Sequence, residues 1–216
     1  LNGGTISGTK NVCIGSEVGS IAEVNAANGG TGNGYTYTWE KSTDNINWTT
    51  VTGAVTTSPS ISDKVTLNVF YRRKVTNLGV TAYSNICTVQ PIQRPTVSLS
   101  SNKTSIPRGG GITLTASGAT TYTLNGPNGQ IGTSLPHTAT IYTTSSFNAI
   151  GVDQNGCSDT GYTTVSVVKL LPGSIGPNQA NCEGSSFNPI QNLGSPSGGS
   201  GQYTLQWEES LDGVNW

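Results

Sequence analysis

The side chains that could do chemistry are few and widely scattered along this chain of 216 residues. They include four cysteines and a single histidine, His137. A Ser-His-Asp arrangement can draw on residues that are distant in sequence, but no Gly-x-Ser-x-Gly nucleophile elbow accompanies His137. We therefore expect no catalytic residue, and we place His137 in a loop after Leu135-Pro136.

Metal and phosphate chemistry has equally little support. Asp44 and Asp212 recur in a Ser-x-Asp-(Asn/Gly) pattern, in which the aspartate favours a hairpin turn. Calcium is the alternative, but it takes six to eight oxygen ligands, usually from several carboxylates. Zinc would need a paired Cys-x-x-Cys spacing, which does not occur, and Gly109-Gly110-Gly111 lacks the following Lys-Ser/Thr of a phosphate loop. We predict no metal ion and no cofactor.

Charged side chains make up only 10% of the chain, and the formal net charge is −1. A nucleic-acid-binding protein normally carries a basic stripe, whereas the one basic run here is Arg72-Arg73-Lys74. We interpret this run as a solvated strand face, with an anion site as the alternative. A glycosidase would need two carboxylates facing each other across a cleft, and nothing in the sequence indicates one. We expect neither an enzyme nor a nucleic-acid partner.

Short β-strands would have to position these residues, because no stretch sustains a helical period. Tyr35, Tyr37 and Trp39 fall on one face of a strand, with Thr and Glu residues on the other. Glycine-rich and Asn-rich turn clusters such as 28–34 recur about every ten residues, which is typical of a β-sandwich. No apolar run approaches the roughly 20 residues of a membrane span.

One long motif occurs twice. The stretch from Tyr35 to Trp48 recurs from Tyr203 to Trp216, 168 positions later, and Cys13 with its neighbours recurs at Cys182. A dissimilar segment lies between the copies, so the repeat indicates an alternating modular array. Proline-containing joints at 90–95 and 169–173 separate the parts. We predict an Ig-like module at 1–92, an Ig-like/PKD-like module at 93–169, and at 170–216 the N-terminal part of a third module that repeats the first.

The third module would contain only half of a sandwich, and half a sandwich exposes its core face. The chain also contains no methionine. We therefore expect it to be a piece of a longer protein that continues the third module. A partner that supplies the missing strands and a poorly ordered tail are the alternatives.

Several motifs carry a family resemblance. In the first module they are Cys13-Ile14-Gly15-Ser16, Gly29-Gly30, Tyr35-Thr36-Tyr37-Thr38-Trp39-Glu40-Lys41-Ser42-Thr43-Asp44, Trp48, Gly53-Ala54, Tyr71-Arg72-Arg73-Lys74-Val75-Thr76 and Tyr83-Ser84-Asn85. In the second they are Leu114-Thr115-Ala116-Ser117-Gly118-Ala119, Tyr122-Thr123 and Asp153-Gln154-Asn155-Gly156-Cys157-Ser158. With these motifs the chain resembles the tandem Ig-like and PKD-like repeats of large Bacteroidota cell-surface adhesins, including the SprB-type gliding-motility adhesins. Val80 departs from the family pattern, which often has a cysteine there.

The resemblance implies an all-β fold of tandem Ig-like β-sandwich modules, the last one incomplete. It also implies a non-enzymatic stalk segment of a large secreted adhesin that serves surface attachment or gliding motility, exported by a type IX-like route to the cell surface or outer membrane. The implied partners are adjacent repeats and surface polysaccharide or substratum. The alternative is a spacer or carbohydrate-binding appendage of a secreted glycan-degrading enzyme.

The cysteines can pair in three complete ways. In an Ig-type sandwich Cys13 and Cys87 can approach the same pole, so we predict a Cys13–Cys87 disulfide, with two buried thiols as the alternative. Closing that loop would stabilise the fold by roughly 4 kcal/mol. Cys182 matches Cys13 by the repeat, so its partner is expected beyond residue 216. Cys157 has no obvious mate, and a Cys157–Cys182 bridge is a further alternative.

The aromatic residues have structural and functional interpretations. We predict that Trp39 and Trp207 lie in the sandwich core, as the Trp of strand C does in Ig domains, with a sugar-stacking platform as the alternative. Tyr71, at the start of a late strand, suits a tyrosine-corner role in the core. Trp48 and Trp216 follow a turn and are expected to cover a core edge, and Trp48 is the candidate for an exposed ligand contact.

Overall fold

The computed structural model describes residues 1–31 and 34–216 of the chain. Within those ranges the regular elements are β-strands, and no helix is long and apolar enough to cross a membrane. The predicted all-β fold is confirmed. Gly32 and Asn33, which belong to the predicted turn cluster at 28–34, lie outside the described residues.

The polypeptide divides into two compact units. The first comprises Leu1–Pro95 together with Asn155–Cys157, and the second comprises Thr96–Gln154 and Ser158–Trp216. The first division falls close to the predicted module boundary at residue 92. Residues 170–216 are grouped with the second unit, and the third module stays a prediction.

The first unit is a sandwich of antiparallel strands with one parallel pair. Its strands are β1 (Thr5–Ile6), β2 (Lys10–Cys13), β3 (Glu17–Ser20), β4 (Glu23–Asn25), β5 (Thr36–Ser42), β6 (Thr49–Thr50), β7 (Ser60–Lys64), β8 (Val69–Asn77), β9 (Val80–Tyr83) and β10 (Cys87–Ile92). The larger sheet has the order β2-β10-β8-β5-β6, and β9 also pairs with β8. Two smaller pairs, β1-β4 and β3-β7, complete the unit.

Strand β8 shows why these residues form a sandwich. Its side chains alternate in burial, with Tyr71, Arg73 and Val75 buried and the intervening residues partly exposed. Strand β5 lies antiparallel beside it, with Trp39 opposite Arg73. Trp39 then packs in one core with apolar residues from both sheets, among them Val18 of β3. Period-two alternation on two long neighbours therefore supplies the inner face.

The second unit has the same organisation in its first part. Its strands are β11 (Ser98–Ser101), β12 (Ser105–Pro107), β13 (Gly110–Ser117), β14 (Thr121–Gly126), β15 (Gly129–Gly132), β16 (His137–Ile141), β17 (Ser145–Val152) and β18 (Ser158–Val168). One sheet has the order β11-β13-β16 and the other the order β12-β18-β17-β14-β15. Their inner faces share a core that includes Leu99, Leu114, Leu124, Phe147 and Val165.

Both units follow an immunoglobulin-like strand order. In the first unit the last strand, β10, pairs with the short early strand β2, which runs parallel to it, and in the sandwich of the second unit β18 pairs in the same way with β12. The sheet then continues through β8 to β5, which carries Trp39, in the first unit, and through β17 to β14, which carries Leu124, in the second. The core is covered by the separate pairs β1-β4 and β3-β7 in the first unit and by the β11-β13-β16 sheet in the second. The chain is thus built from Ig-like β-sandwich modules.

Two local predictions need correction. His137 begins strand β16 opposite Leu114 and does not lie in a loop. The predicted joint at 90–95 starts later, because β10 continues through Pro91 to Ile92. Proline is tolerated at position 91 because the ladder between β10 and β8 ends at Val89, so that the N–H that Pro91 lacks is not needed on that side. On the other side Pro91 pairs with Val12 of the edge strand β2.

Residues 170–216 reproduce part of the first unit. Strands β19 (Ser174–Ile175) and β20 (Asn192–Gly194) pair in the register of β1 and β4, each position 169 residues later. The isolated bridge between Asn2 and Asn28 is likewise repeated between Leu171 and Ser197. The repeat seen in the sequence is therefore also a repeat of backbone structure.

Candidate functional site

A partly exposed cation–aromatic cluster in the first unit carries the candidate ligand contact. It consists of Glu40, Trp48, Arg72 and Tyr83, and we call it the Arg72 stack. The guanidinium carbon of Arg72 lies 4.0 Å from the ring centroid of Trp48 and 4.0 Å from that of Tyr83. Register places Arg72 opposite Glu40, whose Oε2 accepts a hydrogen bond from Nε at 2.8 Å and forms an ion pair with Nη2 at 2.7 Å.

The Arg72 stack limits what Trp48 can do. Trp48 is half-buried, and its indole and the Tyr83 ring both contact the Arg72 guanidinium. Cation–π contacts of this kind stabilise by about 0.5–1 kcal/mol each at exposed sites. A sugar that stacked on the same face of Trp48 would have to displace Arg72. Trp48 as a ligand contact stays a prediction.

A second polar group lies beside the core of the same unit. The Asp63 carboxylate accepts hydrogen bonds from Lys41 Nζ at 2.7 Å and from the Tyr71 hydroxyl at 3.0 Å. Partial burial works to raise the pKa of Asp63, but the Lys41 and Tyr71 hydrogen bonds and the Lys41 charge outweigh it, so this pKa is lowered. Burial and the bond to Asp63 raise the pKa of Tyr71.

The chemistry available to this group is limited. The three residues line a cavity of about 470 Å³. Asp63 is held ionised and Tyr71 is held protonated, so the arrangement opposes proton transfer between them at neutral pH. The Tyr71 hydroxyl donates its hydrogen bond to the Asp63 carboxylate, eight residues upstream. In a tyrosine corner this hydroxyl would instead bond to a backbone group. We interpret the group as a structural tie between β5, β7 and β8.

The predicted core aromatics have different outcomes. Trp39 and Tyr71 lie fully buried in the core, as predicted, and the Trp39 indole N–H donates to the Thr56 carbonyl at 2.8 Å. Trp207, predicted to be a core residue, is instead 67% exposed. The reason is that Trp39 is covered by strands that follow it in the chain, and no strand in the described residues pairs with the segment around Trp207.

The predicted Cys13–Cys87 disulfide is wrong: Cys13 is bonded to Cys157, and Cys87 is a free, buried thiol. Strand register explains the error. Cys13 lies opposite Ile92 in the parallel pair of β2 and β10, whereas Cys87 begins β10 five residues earlier. At about 3.3 Å per residue these positions are about 17 Å apart along the sheet, far beyond the Cα separation that a disulfide allows.

The bonded partner comes from a turn that is distant in the chain. Cys157 lies between β17 and β18, in the short stretch Asn155–Cys157 that groups with the first unit. Disulfides persist mainly in oxidising compartments, so the bond is consistent with an extracellular protein. Burial raises the pKa of the Cys87 thiol, against smaller opposing effects of Ser7 and Lys10. Cys182 is exposed and free.

A buried arginine was missed by the sequence interpretation. The pattern of the basic run 72–74 predicts a solvated strand face, but the Arg73 side chain is fully buried. It forms an ion pair with Glu23, and its guanidinium also donates to the Gly3 carbonyl at 2.9 Å and the Thr57 carbonyl at 3.2 Å. The signal was present in the alternation, because Arg73 has the same parity as Tyr71. Arg73 thus ties β8 to the ribbon of β1 and β4.

Asp44 lies in the hairpin connection between β5 and β6, as predicted, whereas no strands flank the Asp212 turn. The two aspartates nevertheless accept hydrogen bonds from equivalent donors. Asp44 Oδ1 accepts from the backbone N–H of Asn47 at 2.7 Å, and Asp212 Oδ1 accepts from that of Asn215 at 2.8 Å. The Asn side chain donates to Oδ2 at 2.6 Å in both turns. The backbone N–H of the Asn is the largest of several donors that hold the pKa of each aspartate well below its usual range. These carboxylates are therefore committed to their own turns.

The candidate metal-ligating and catalytic residues lie apart in the part of the chain that the structure describes. Within residues 1–31 and 34–216, no group of three or more His, Cys, Asp or Glu residues could hold a metal ion. His137 lies on β16 with its imidazole packed against Gly132. A Cβ atom placed on Gly132 would lie only 3.0 Å from Nδ1 of His137. Among the described residues, the fold brings together the Arg72 stack, the group of Lys41, Asp63 and Tyr71, and the contacts of Arg73 with Glu23, Gly3 and Thr57.

Comparison with known proteins gives distant structural similarity. The chain aligns with three N-terminal domains of the highly immunogenic outer capsid protein (Hoc) of bacteriophage RB49, at 11% identity and TM-score 0.36, covering 92% of this chain and 70% of that one. The N-terminal four Ig domains of Dscam1 isoform 6.9 align at 12% identity and TM-score 0.30, covering 74% and 43%. The amphioxus IgVJ-C2 molecule aligns at 10% identity and TM-score 0.29, covering 73% and 100%.

These similarities are too low to transfer a function, and the Ig-like fold rests on the strand order described above. Among curated proteins, none matches the chain significantly. One protein family does match part of the chain. Residues 2–92, which correspond to the first module, match the family described as "Domain of unknown function (DUF8696)".

Proposed function

We propose that this chain is a non-enzymatic stalk segment of a large secreted cell-surface adhesin that serves surface attachment or gliding motility. The observation that carries the proposal is the repetition of local structure. The β1–β4 ribbon and the Asp44 turn of the first module recur in residues 170–216 with matching register and hydrogen bonds. Recurrence of one module after a dissimilar one is typical of long modular arrays.

The polar groups of the first module support a structural role. Asp44, Asp63 and Arg73 are each engaged within the module by charge or hydrogen bonds. A stalk needs folded, stable modules and does not need convergent reactive groups. In this proposal the partners are adjacent repeats along the same polypeptide, and the surface polysaccharide or substratum that is bound elsewhere on the adhesin.

A carbohydrate-binding appendage of a secreted glycan-degrading enzyme is the second candidate. The Arg72 stack favours it, because it presents two aromatic rings and an ion pair on one sheet face. The same geometry also counts against it, since Arg72 contacts the ring that a sugar would use. A glycan-array signal that disappears in a Trp48→Ala variant and persists in a Trp216→Ala variant would favour the appendage.

The stalk proposal is tested on intact cells of the source organism. Antibodies raised against residues 1–216 should label unpermeabilised cells. A strain from which only the codons for this segment are deleted in frame should still export the parent protein but should attach to surfaces, or glide, less well. A strain carrying the Trp48→Ala change should behave like the parent strain. Labelling that requires cell lysis, or unchanged attachment and motility after the deletion, would contradict the proposal.

A further inference from the structure

The segment 170–216 exposes apolar side chains whose equivalents in the first module are buried. The matched pairs, with their exposed fractions, are Ile6 and Ile175 (2% and 56%), Val18 and Phe187 (2% and 67%), Ile21 and Ile190 (0% and 54%), and Trp39 and Trp207 (0% and 67%). We call Ile175, Phe187, Ile190 and Trp207 the open face. An exposed group of large apolar residues of this kind marks an interaction surface.

The strand pairing in residues 170–216 shows which pairings of the first module have no counterpart in this segment. In the first module β1 pairs with β4, and both lie within residues 1–48. The corresponding ribbon, β19 with β20, is present in the segment. Strands β2, β3 and β5 instead pair with β10, β7 and β8, all of which lie within residues 49–92. No strand is found at the corresponding positions of 170–216, a stretch that the structure describes throughout.

We propose that the open face is a binding surface for a set of β-strands of the type found at residues 49–92. In the first module this set covers Trp39, whose indole N–H donates to the Thr56 carbonyl. The occupant would add strands beside the positions of β3 and β5, which is recognition by strand addition. This inference does not depend on the adhesin function, because it rests on the exposure of one repeat compared with the other.

The acidic residues of the segment indicate which charged side chains the bound strands should carry. Lys41 of the first module pairs with Asp63 at 2.7 Å, but the repeat has Glu209 in place of Lys41. An occupant that kept an aspartate at position 63 would place two carboxylates together, so the cognate strand set should carry a basic residue there. Glu208 occupies the place of Glu40 and is suited to an occupant arginine equivalent to Arg72.

The test uses the full chain 1–216 and two synthetic peptides. Both peptides have the sequence of residues 49–92 with Cys87→Ser, and one also has Asp63→Lys. Binding is followed by NMR of the indole N–H of Trp207, assigned with a Trp207→Phe variant. We expect saturable one-to-one binding, slower exchange of the Trp207 indole proton and an unchanged Trp39 signal. The Asp63→Lys peptide should bind about fivefold more tightly, because a repulsive, partly exposed pair becomes attractive.

Two controls keep the test decisive. A Trp207→Ala chain should lose binding, whereas a Trp48→Ala chain should retain it. Because a free peptide can aggregate, a second protein carries residues 49–92 directly after Trp216, the position equivalent to Trp48, and should likewise protect the Trp207 indole.

Absence of protection in both formats would overturn the proposed surface. Equal affinity of the two peptides would overturn the assigned charge. Dimerisation of the chain that protects Trp207 without peptide would assign the surface to a second copy and overturn the proposal.

Discussion

Asp44 and Asp212 show that a few hydrogen bonds can define a turn without the rest of its module. Asp44 lies next to a formed strand, whereas Asp212 follows a segment without strands. Even so, Ser42 and Ser210 donate to the respective aspartate Oδ1 at 2.8 and 2.9 Å. The left-handed turn position is occupied by Asn45 in one copy and by a glycine in the other. The turn is therefore encoded locally.

Both aspartates should titrate at unusually low pH. A pKa lowered on folding stabilises the turn at pH values above the ordinary aspartate pKa of about 3.9, and this stabilisation is lost as the pH falls through the lowered value. Carboxyl carbon NMR should show Asp44 and Asp212 still ionised at pH 3. Asn47→Ala removes one donor, so it should raise the pKa of Asp44 and leave that of Asp212 unchanged. An Asp212 that titrates near 3.9 would show that the turn needs the complete module.

The thiols should differ sharply in reactivity. Cys182 is exposed, whereas Cys87 is buried and its pKa is raised by burial, so its thiolate is both scarce and inaccessible. A maleimide should label Cys182 in the folded chain, Cys87 only after unfolding, and Cys13 and Cys157 only after reduction. Mass spectrometry of peptides locates the labels, with a Cys182→Ser chain as the unlabelled control. A disulfide-linked peptide containing Cys13 and Cys87 would contradict the assignment.

At the scale of elements, Arg73 connects parts of the first module that are far apart in sequence. Its guanidinium meets the Glu23 carboxylate and carbonyls from the N-terminus and from the loop before β7. It also lies over the Tyr37 ring at 5.3 Å from the centroid. The β1–β4 ribbon is held to the large sheet by this charge as well as by packing.

Replacing Arg73 should therefore be more harmful than replacing its neighbour. Removing one partner of a buried ion pair leaves the other partner uncompensated, so Arg73→Ala should lower the free energy of unfolding by about 3 kcal/mol or more. Arg72→Ala, in a partly exposed pair, should cost about 1 kcal/mol. Urea denaturation monitored by tryptophan fluorescence measures both. Equal losses for the two variants would show that Arg73 acts only through its packing volume.

Alternation along single strands predicted the inward positions correctly, because side-chain direction is a local property of the backbone. It placed Trp39 and Tyr71 in the core, and it contained the information that Arg73 shares the face of Tyr71. The disulfide could not be predicted in this way. Its pairing depends on the register of the parallel pair β2 and β10, which places Cys13 opposite Ile92. The prediction of a core position for Trp207 was wrong for a third reason: the burial of this residue depends on strands outside its own segment.

At the scale of the whole molecule, the Cys13–Cys157 disulfide closes a very large loop. The two cysteines are separated by 144 positions, and strands β3 to β17 lie between them in the chain. In the entropic account, a closed loop of this length stabilises the folded state by roughly 4–5 kcal/mol through its effect on the unfolded chain. Reduction should therefore lower the stability of strands in both units.

Single-molecule stretching between the two ends of the chain should reveal this loop directly. The closed loop cannot be extended, so full extension of the oxidised chain should be about 500 Å shorter than that of the reduced chain, at about 3.5 Å per residue. A chain with Cys13→Ser and Cys157→Ser should extend fully without reductant, while Cys182→Ser should behave like the unaltered chain. Equal extension in oxidised and reduced forms would contradict the bond.

The same bond determines which covalent path carries tension. A pull on the ends would pass from the β2 strand through two sulfur atoms into β18, bypassing most of the strands of both sandwich units. Those strands could then open and refold by thermal motion without lengthening the tether. The disulfide would thus separate the tensile strength of the polypeptide from the folding stability of its modules.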